Sequence, residues 1–472
     1  MSAPEGTSPK ISSSQIENIN DIPKWADDNS TIQVPSVTDD VQRKIRRQFD
    51  KHVLPVVCVL YVVMEWTTIL WKIFPAHIYV AVLCVLWGTT AMCSGFTNNM
   101  ASMIICRSFL GVFEAGFGAG APYFLSLFYQ RRELGLRVSI LLGMSPLANC
   151  FASALAYGIT HIETSWGAWR YLFIIGMSSA PPPFFICSNF NIVEGIPTIL
   201  FAPVVFFYLA DSPRTAKFLD IDDQTFAIER LQTRDTTAKS KVHWKQFFAG
   251  LTDYQNYIHT AIHFCCNYSF AGLSNFLPTI IADMGYNSIN AQGLTAPPYF
   301  AAFLLCVVAA FFSDRYGMRG FVVAGFSTMG LIGYLLLALV KDLENTGPRY
   351  LGVWLACCGI FPALAINITW LLNNQGGDSK RGAGLAVLAT VGQCSSFVSS
   401  AVFPTSAAPF YTVGCSLGAG FTGLIILLSL GLHFKLDMEN KRRDRVFGPV
   451  DSEENIDVSN LGDQNPKFRY LT

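Results

Sequence analysis

The sequence predicts an all-α polytopic membrane protein, and three observations carry that expectation. Hydrophobic residues fill 51% of the 472 positions and charged residues only 14%, where a soluble globular chain carries about a quarter. The apolar residues fall in runs of about 20, the length an α-helix needs to cross a bilayer. Lys and Arg gather in alternate connections between those runs, as they do in chains whose basic loops stay on the cytoplasmic side. Mean hydropathy is +0.36.

Taken in order, spans are expected at 53–73, 76–96, 101–128, 136–160, in a broken form within 170–209, and then at 257–281, 293–312, 320–340, 350–372, 382–405 and 409–434. One long polar connection, 211–256, holds Lys217, Arg230, Arg234, Lys239, Lys241 and Lys245. It divides the chain into an N-terminal bundle, 43–210, and a C-terminal bundle, 257–435. Residues 1–42 are rich in Ser, Asp, Asn and Pro and read as a disordered cytoplasmic tail. Residues 436–472 read as a second cytoplasmic tail. No cleavable signal peptide is expected at the start.

Loop charge sets the sidedness. Arg131, Arg132 and Arg137, the linker, Arg315 with Arg319, Lys380 with Arg381, and both tails are assigned to the cytoplasm. The plasma membrane is the expected location. The alternation holds from residue 131 onward and fails before it. Three spans separate the basic run at 43–51 from the inside loop at 131–137, and an odd number cannot return to the same side. A second irregularity is Pro181-Pro182-Pro183 within 177–192, since consecutive prolines do not sit inside a regular helix. Without 177–192 the flanks join into one span. Either 53–73 does not cross the membrane or one crossing is missing from the first bundle, and 177–192 reads as an anomalous insert.

Composition also excludes function classes. Formal net charge is zero, which argues against a nucleic-acid partner held by phosphate neutralisation. The thirteen cysteines lack metal or redox spacing, and no cofactor or metal is implied. His259 and His263 are four apart but have no third ligand nearby. Gly414-Cys415-Ser416-Leu417-Gly418 matches a nucleophile-elbow pattern without its preceding strand. The Gly-rich run at 111–120 is not followed by the Lys of a phosphate loop. No nucleophile and base can be assembled, so an enzyme is not expected.

The motifs CRSFLGVFEAGFGAGAPYFLSLFYQRRELGLR (106–137), ADSP (210–213) and SDRYG (313–317) resemble those of the major facilitator superfamily. More narrowly, they resemble fungal allantoate and nicotinate permeases of its anion:cation symporter branch. The resemblance runs from about residue 41 to 445. It implies the major facilitator fold of two six-helix bundles, cytoplasmic termini and alternating access. It also implies that most of a second span, with its outside loop, is missing after Tyr61, which makes 53–73 a fusion of two half-spans and leaves the first bundle short of about one span.

Arg107 and Glu114 lie two turns apart in an apolar helix, on one face with Gly111 and Gly118. Charges at membrane depth are costly and usually face a cavity. Arg107 suits a carboxylate through a bidentate contact. Glu114 suits the coupling proton, and the related anion transporters use the residues matching these two. In the second half, His263, Asn267 and Tyr268 fall at helical spacing, as do Asn367, Trp370, Asn373 and Asn374. Each is a candidate for holding substrate, and equally for interhelical hydrogen bonding. Asp314, Arg315 and Arg319 resemble the superfamily's gating motif.

The expected function is proton-coupled uptake of a small organic anion such as allantoate or nicotinate by a monomer in the bilayer. The rivals are a non-transporting nutrient sensor and an inactive variant of such a permease.

Overall fold

The computed structural model describes residues 74–94, 100–118, 120–126, 128–129, 133–160, 192–212, 215, 244–342, 346–404, 407–449 and 462–472. All of them lie in one compact unit, Val56–Thr472. The expectations for 1–42, 53–73, 177–191 and 216–243 fall outside the described residues.

Among the described residues there are thirteen α-helices and no strand. In the first half they are α1 (Ala76–Ser94), α2 (Met100–Gly118), α3 (Gly120–Ser126), α4 (Leu134–Thr160) and α5 (Ile192–Tyr208). A short α6 (Trp244–Thr252) leads into the second half. There α7 (Tyr254–Ala282), α8 (Ser288–Tyr316), α9 (Arg319–Leu339), α10 (Gly347–Asn374), α11 (Asp378–Gln393), α12 (Ser395–Val402) and α13 (Thr412–Phe447) follow. Seven helical stretches among them are long and apolar enough to cross a membrane: Ala76–Cys93, Leu134–Ala154, Ile289–Tyr316, Arg319–Leu339, Gly347–Asn374, Ser379–Val402 and Thr412–Phe447. At 29 residues α7 is also long enough. It falls short in hydropathy because it buries Gln255, Asn256, His259, Thr260, His263, Asn267 and Ser269. The expected span at 382–405 is broken at Cys394 into α11 and α12.

Helix ends follow local chemistry. Asp253 caps α7 by accepting from the Gln255 N–H at 3.0 Å, which satisfies one of the donors a helix start leaves open. α8 ends at Gly317, whose φ of 70° is a left-handed conformation that glycine takes without steric cost. Its N–H closes onto the Ser313 carbonyl at 3.0 Å, and the chain reverses at once into α9.

Inside a bilayer, lipid tails are as apolar as leucine, so helices associate through close packing and hydrogen bonds. The α9–α10 crossing shows this directly. A Cβ on Gly352 would lie 2.9 Å from the Gly333 carbonyl oxygen, and one on Gly359 would lie 2.6 Å from that of Phe326. The two backbones touch there, and only glycine fits. Gly359→Ala is expected to destabilise by about 1–3 kcal/mol, the cost of overpacking a filled interface. The thermal midpoint in detergent checks it, and an unchanged midpoint would contradict the close approach.

α10 is the central helix, with 83% of its span buried against 33–44% for the other six. It packs on α7, α8, α9 and α4. The two halves meet mainly where α4 lies along α8. There Gly143 faces Phe303 and Cys306, and Gly293 faces Tyr157. Asn149 Nδ2 donates to Ser274 Oγ at 3.3 Å, tying α4 to α7. Large apolar side chains such as Phe207, Leu339 and Leu427 point outward and exposed, as expected of surfaces facing lipid.

Candidate functional site

The polar residues sort into three places. The first is α2, which packs chiefly on α1. Arg107 and Glu114 are both exposed on it, and the space beside Gly111 between them is open for 4 Å around an added Cβ. The main packing of α2 does not bring this face to α7 or α10.

The second place is the contact of α7 with α10, α11 and α13. His259 and Asn367 form a reciprocal pair. The Asn367 amide donates to the His259 carbonyl at 3.1 Å, so its oxygen accepts from the His259 ring N–H at Nδ1, 2.8 Å away. The edge of the Trp370 indole meets the same ring at 4.9 Å between centroids. Asn267 Nδ2 donates to Gln393 Oε1 at 2.8 Å and to the Gly392 carbonyl at 3.2 Å. Tyr268 donates to the Gly414 carbonyl at 2.9 Å. Asn373 is fully buried. Three of the expected substrate residues, Asn267, Tyr268 and Asn367, thus hold helices together. His263 stays buried against Gly392, and His259 Nε2 and His263 Nδ1 have no hydrogen-bond partner among the described residues. Asn367→Ala is expected to cost about 1–2 kcal/mol, because it leaves the buried His259 donor unpaired. Thermal unfolding of the variant measures this, and wild-type stability would refute the pairing.

The third place is the end of the molecule that carries the basic loops. Asp314, at the end of α8, accepts from the Leu136 N–H of α4 at 2.8 Å and from Arg319 Nη2 at 2.7 Å. A Cβ on Gly135 would run into its carboxylate. One side chain therefore clamps the first half to the second. Arg319 is buried, while Arg315 is exposed and takes no part in the clamp. At the same end, Asp211 of the ADSP motif accepts from the His77 backbone N–H at 2.9 Å and meets its ring at 2.8 Å, joining the start of α1 to the end of α5.

Two features of this end were not foreseen. Lys380 is buried between Asp253 at 2.6 Å and Asp463 at 2.8 Å. The stretch 462–472, expected to belong to a polar tail, is packed on the helix ends instead. Phe468 is 1% exposed and Tyr470 7%. Trp370 Nε1 and Asn374 Nδ2 both donate to the Leu471 carbonyl at 2.8 Å. These two expected substrate residues lie in the last turn of α10, where they grip the protein's own chain. The signal available in the sequence was the Phe-Arg-Tyr-Leu pattern at 468–471, two aromatics and a leucine closing a polar stretch.

Residues 185–400 match the sequence model of the Major Facilitator Superfamily. The chain is 29% identical over 392 residues to the major facilitator-type transporter hxnP of Emericella nidulans, covering 82% of this chain and 75% of that protein. It is 27% identical over 412 residues to the high-affinity nicotinic acid transporter of Saccharomyces cerevisiae, covering 86% and 72%. Among solved structures, the proton:xylose symporter XylE shares the fold with a TM-score of 0.58 at 16% identity, covering 86% of each chain. The fucose:proton symporter FucP of E. coli does so with a TM-score of 0.54 at 11% identity, covering 83% and 93%. The protein is an all-α polytopic membrane transporter of the major facilitator fold, and it resembles the fungal nicotinate permeases.

Proposed function

We propose that the protein is a proton-coupled importer of a small organic anion, with nicotinate and allantoate the first substrates to test. One observation carries the reading. Arg107 and Glu114 share an open face of an otherwise apolar helix, and ionisable groups at membrane depth mark substrate and proton paths. Arg107 receives the carboxylate through two parallel N–H donors, and Glu114 takes and releases the proton. Further support comes from the relative in Saccharomyces cerevisiae, which is a nicotinic acid transporter by name. Residues 43–210 and 257–435 form the two bundles that alternate around the substrate, and 211–256 links them on the cytoplasmic side. Both termini are cytoplasmic, and the monomer works in the plasma membrane.

The test is uptake of labelled nicotinate and allantoate by cells lacking their own carriers, with and without a protonophore. Accumulation that the protonophore abolishes is expected. Binding of either anion without uptake would overturn transport in favour of a sensor.

A further inference from the structure

We propose that the basic-loop end of the second half is a peptide-binding groove, that its ligand is residues 462–472 of the same chain, and that their seating holds this end of the transporter shut. The control of opening rests on the transport reading; the seating stands on geometry alone.

The groove recognises main chain at several points. Asn374 reads both sides of Leu471, donating to its carbonyl and accepting from its N–H, each at 2.8 Å. The Trp370 indole adds a second donor to that carbonyl. Asn440 on α13 does the same for Tyr470, with bonds of 2.8 and 2.9 Å. Arg443 Nη1 donates to the carbonyls of Asp463 and Phe468, each at 2.9 Å. The Arg319 N–H donates to the Thr472 carbonyl.

Three side chains of the segment supply register. The Asp463 carboxylate sits on Lys380 Nζ at 2.8 and 2.9 Å. Phe468 and Tyr470 are buried edge to face, 5.3 Å apart, with the Arg443 guanidinium 4.9 Å over the Tyr470 ring. Burial pushes the Tyr470 phenol up, so it stays a donor to Asp463 Oδ2 at 3.2 Å. Gly376 has no room for a Cβ because the backbone of 462–463 lies against it. An appendage without a site would leave its backbone to water; this one has it bonded by α9, α10 and α13.

The location gives the consequence. Arg319, bonded to Thr472 through its backbone N–H, is the residue whose guanidinium holds Asp314, and Asp314 in turn holds Leu136 of the first half. α3 of the first half meets α10 and α11, whose adjoining ends the segment covers at Asn374 and Lys380. Opening this end requires α4 to leave Asp314 and α3 to leave α10 and α11. The seated segment ties α9, α10, α11 and α13 together in the arrangement that those contacts fit.

The experiment compares the full chain with one lacking 462–472, and with a full-length Phe468→Ala/Tyr470→Ala chain as a milder release. The first readout is acrylamide quenching of Trp370, taken as the difference between each chain and its Trp370→Phe counterpart. The second is initial uptake of labelled nicotinate. Trp370 is expected to be shielded in the full chain and quenched in both released chains, with uptake rising about fivefold or more, the lower range of a coupling between sites. A synthetic peptide of 462–472, added at about millimolar to match a short tether's effective concentration, should restore shielding and slow uptake. Trp370 equally quenched in all chains would overturn the groove. Exposure of Trp370 with uptake unchanged or lower would overturn the closure. Uptake absent from every chain would sink the nicotinate reading alone, and peptide-reversible shielding would then decide the seating by itself.

Discussion

Asp314→Ala should lower stability by about 3–5 kcal/mol, the cost of removing one partner from a buried ion pair. Arg319 is 1% exposed at its side chain and bonds Asp314 through Nη2 at 2.7 Å. Its Nε and Nη1 have no hydrogen-bond partner among the described residues, so Asp314 is the anion that makes its burial tolerable. The same substitution frees the Leu136 N–H and removes the polar bond between α4 and the end of α8. Two changes are therefore expected together: a lower thermal midpoint, and freer access of water-soluble reagents to the basic-loop end. Asp314→Asn keeps an acceptor for Leu136 and should fall between the two. Arg315→Ala serves as the control, since an exposed charge outside the clamp changes stability by about 0.5 kcal/mol or less. Equal midpoints for Asp314→Ala and Arg315→Ala would refute the clamp.

Arg107→Ala is the second large effect, and it is read in uptake. If Arg107 pairs with the substrate carboxylate, truncation costs about 2–5 kcal/mol, which is roughly 30-fold or more in affinity at 1.4 kcal/mol per decade. Because Arg107 is exposed on α2, its loss should leave the thermal midpoint almost unchanged. Arg107→Lys keeps the charge but not the planar fork, and should recover only part of the uptake. Wild-type uptake by Arg107→Ala would remove the anion site from this helix. A fall in stability that matched the fall in uptake would make Arg107 a structural charge instead.

Much of the fold was legible because membrane spans are written in runs of one residue class. The second half followed its expected order, and even α7 was placed, although its buried His and Asn residues depress its hydropathy. Finer positions were not legible, for a physical reason. An Asn or Tyr at helical spacing has the same appearance whether it meets substrate or a neighbouring carbonyl, and Tyr268 meets Gly414. Trp370 and Asn374 share a face with Asn367, yet their partner is Leu471, about a hundred positions away in the chain. Helical periodicity reports which residues share a face but not what that face will meet. Likewise, α13 runs on to Phe447, beyond the apolar stretch expected to end at 434. Ion pairs along it, such as Arg443 with Glu439 at 2.9 Å, continue the helix where apolar composition stops.

The 97 positions between Asn374 and Leu471 also impose an order in time. At a synthesis rate of about 5–20 residues per second, residue 471 follows residue 374 out of the ribosome by roughly 5–20 s. Through that interval α10 can already be inserted while Trp370 and Asn374 wait without the carbonyl they will hold. The newborn protein thus passes through a stage with this mouth uncovered, and the covering cannot precede the synthesis of residue 471.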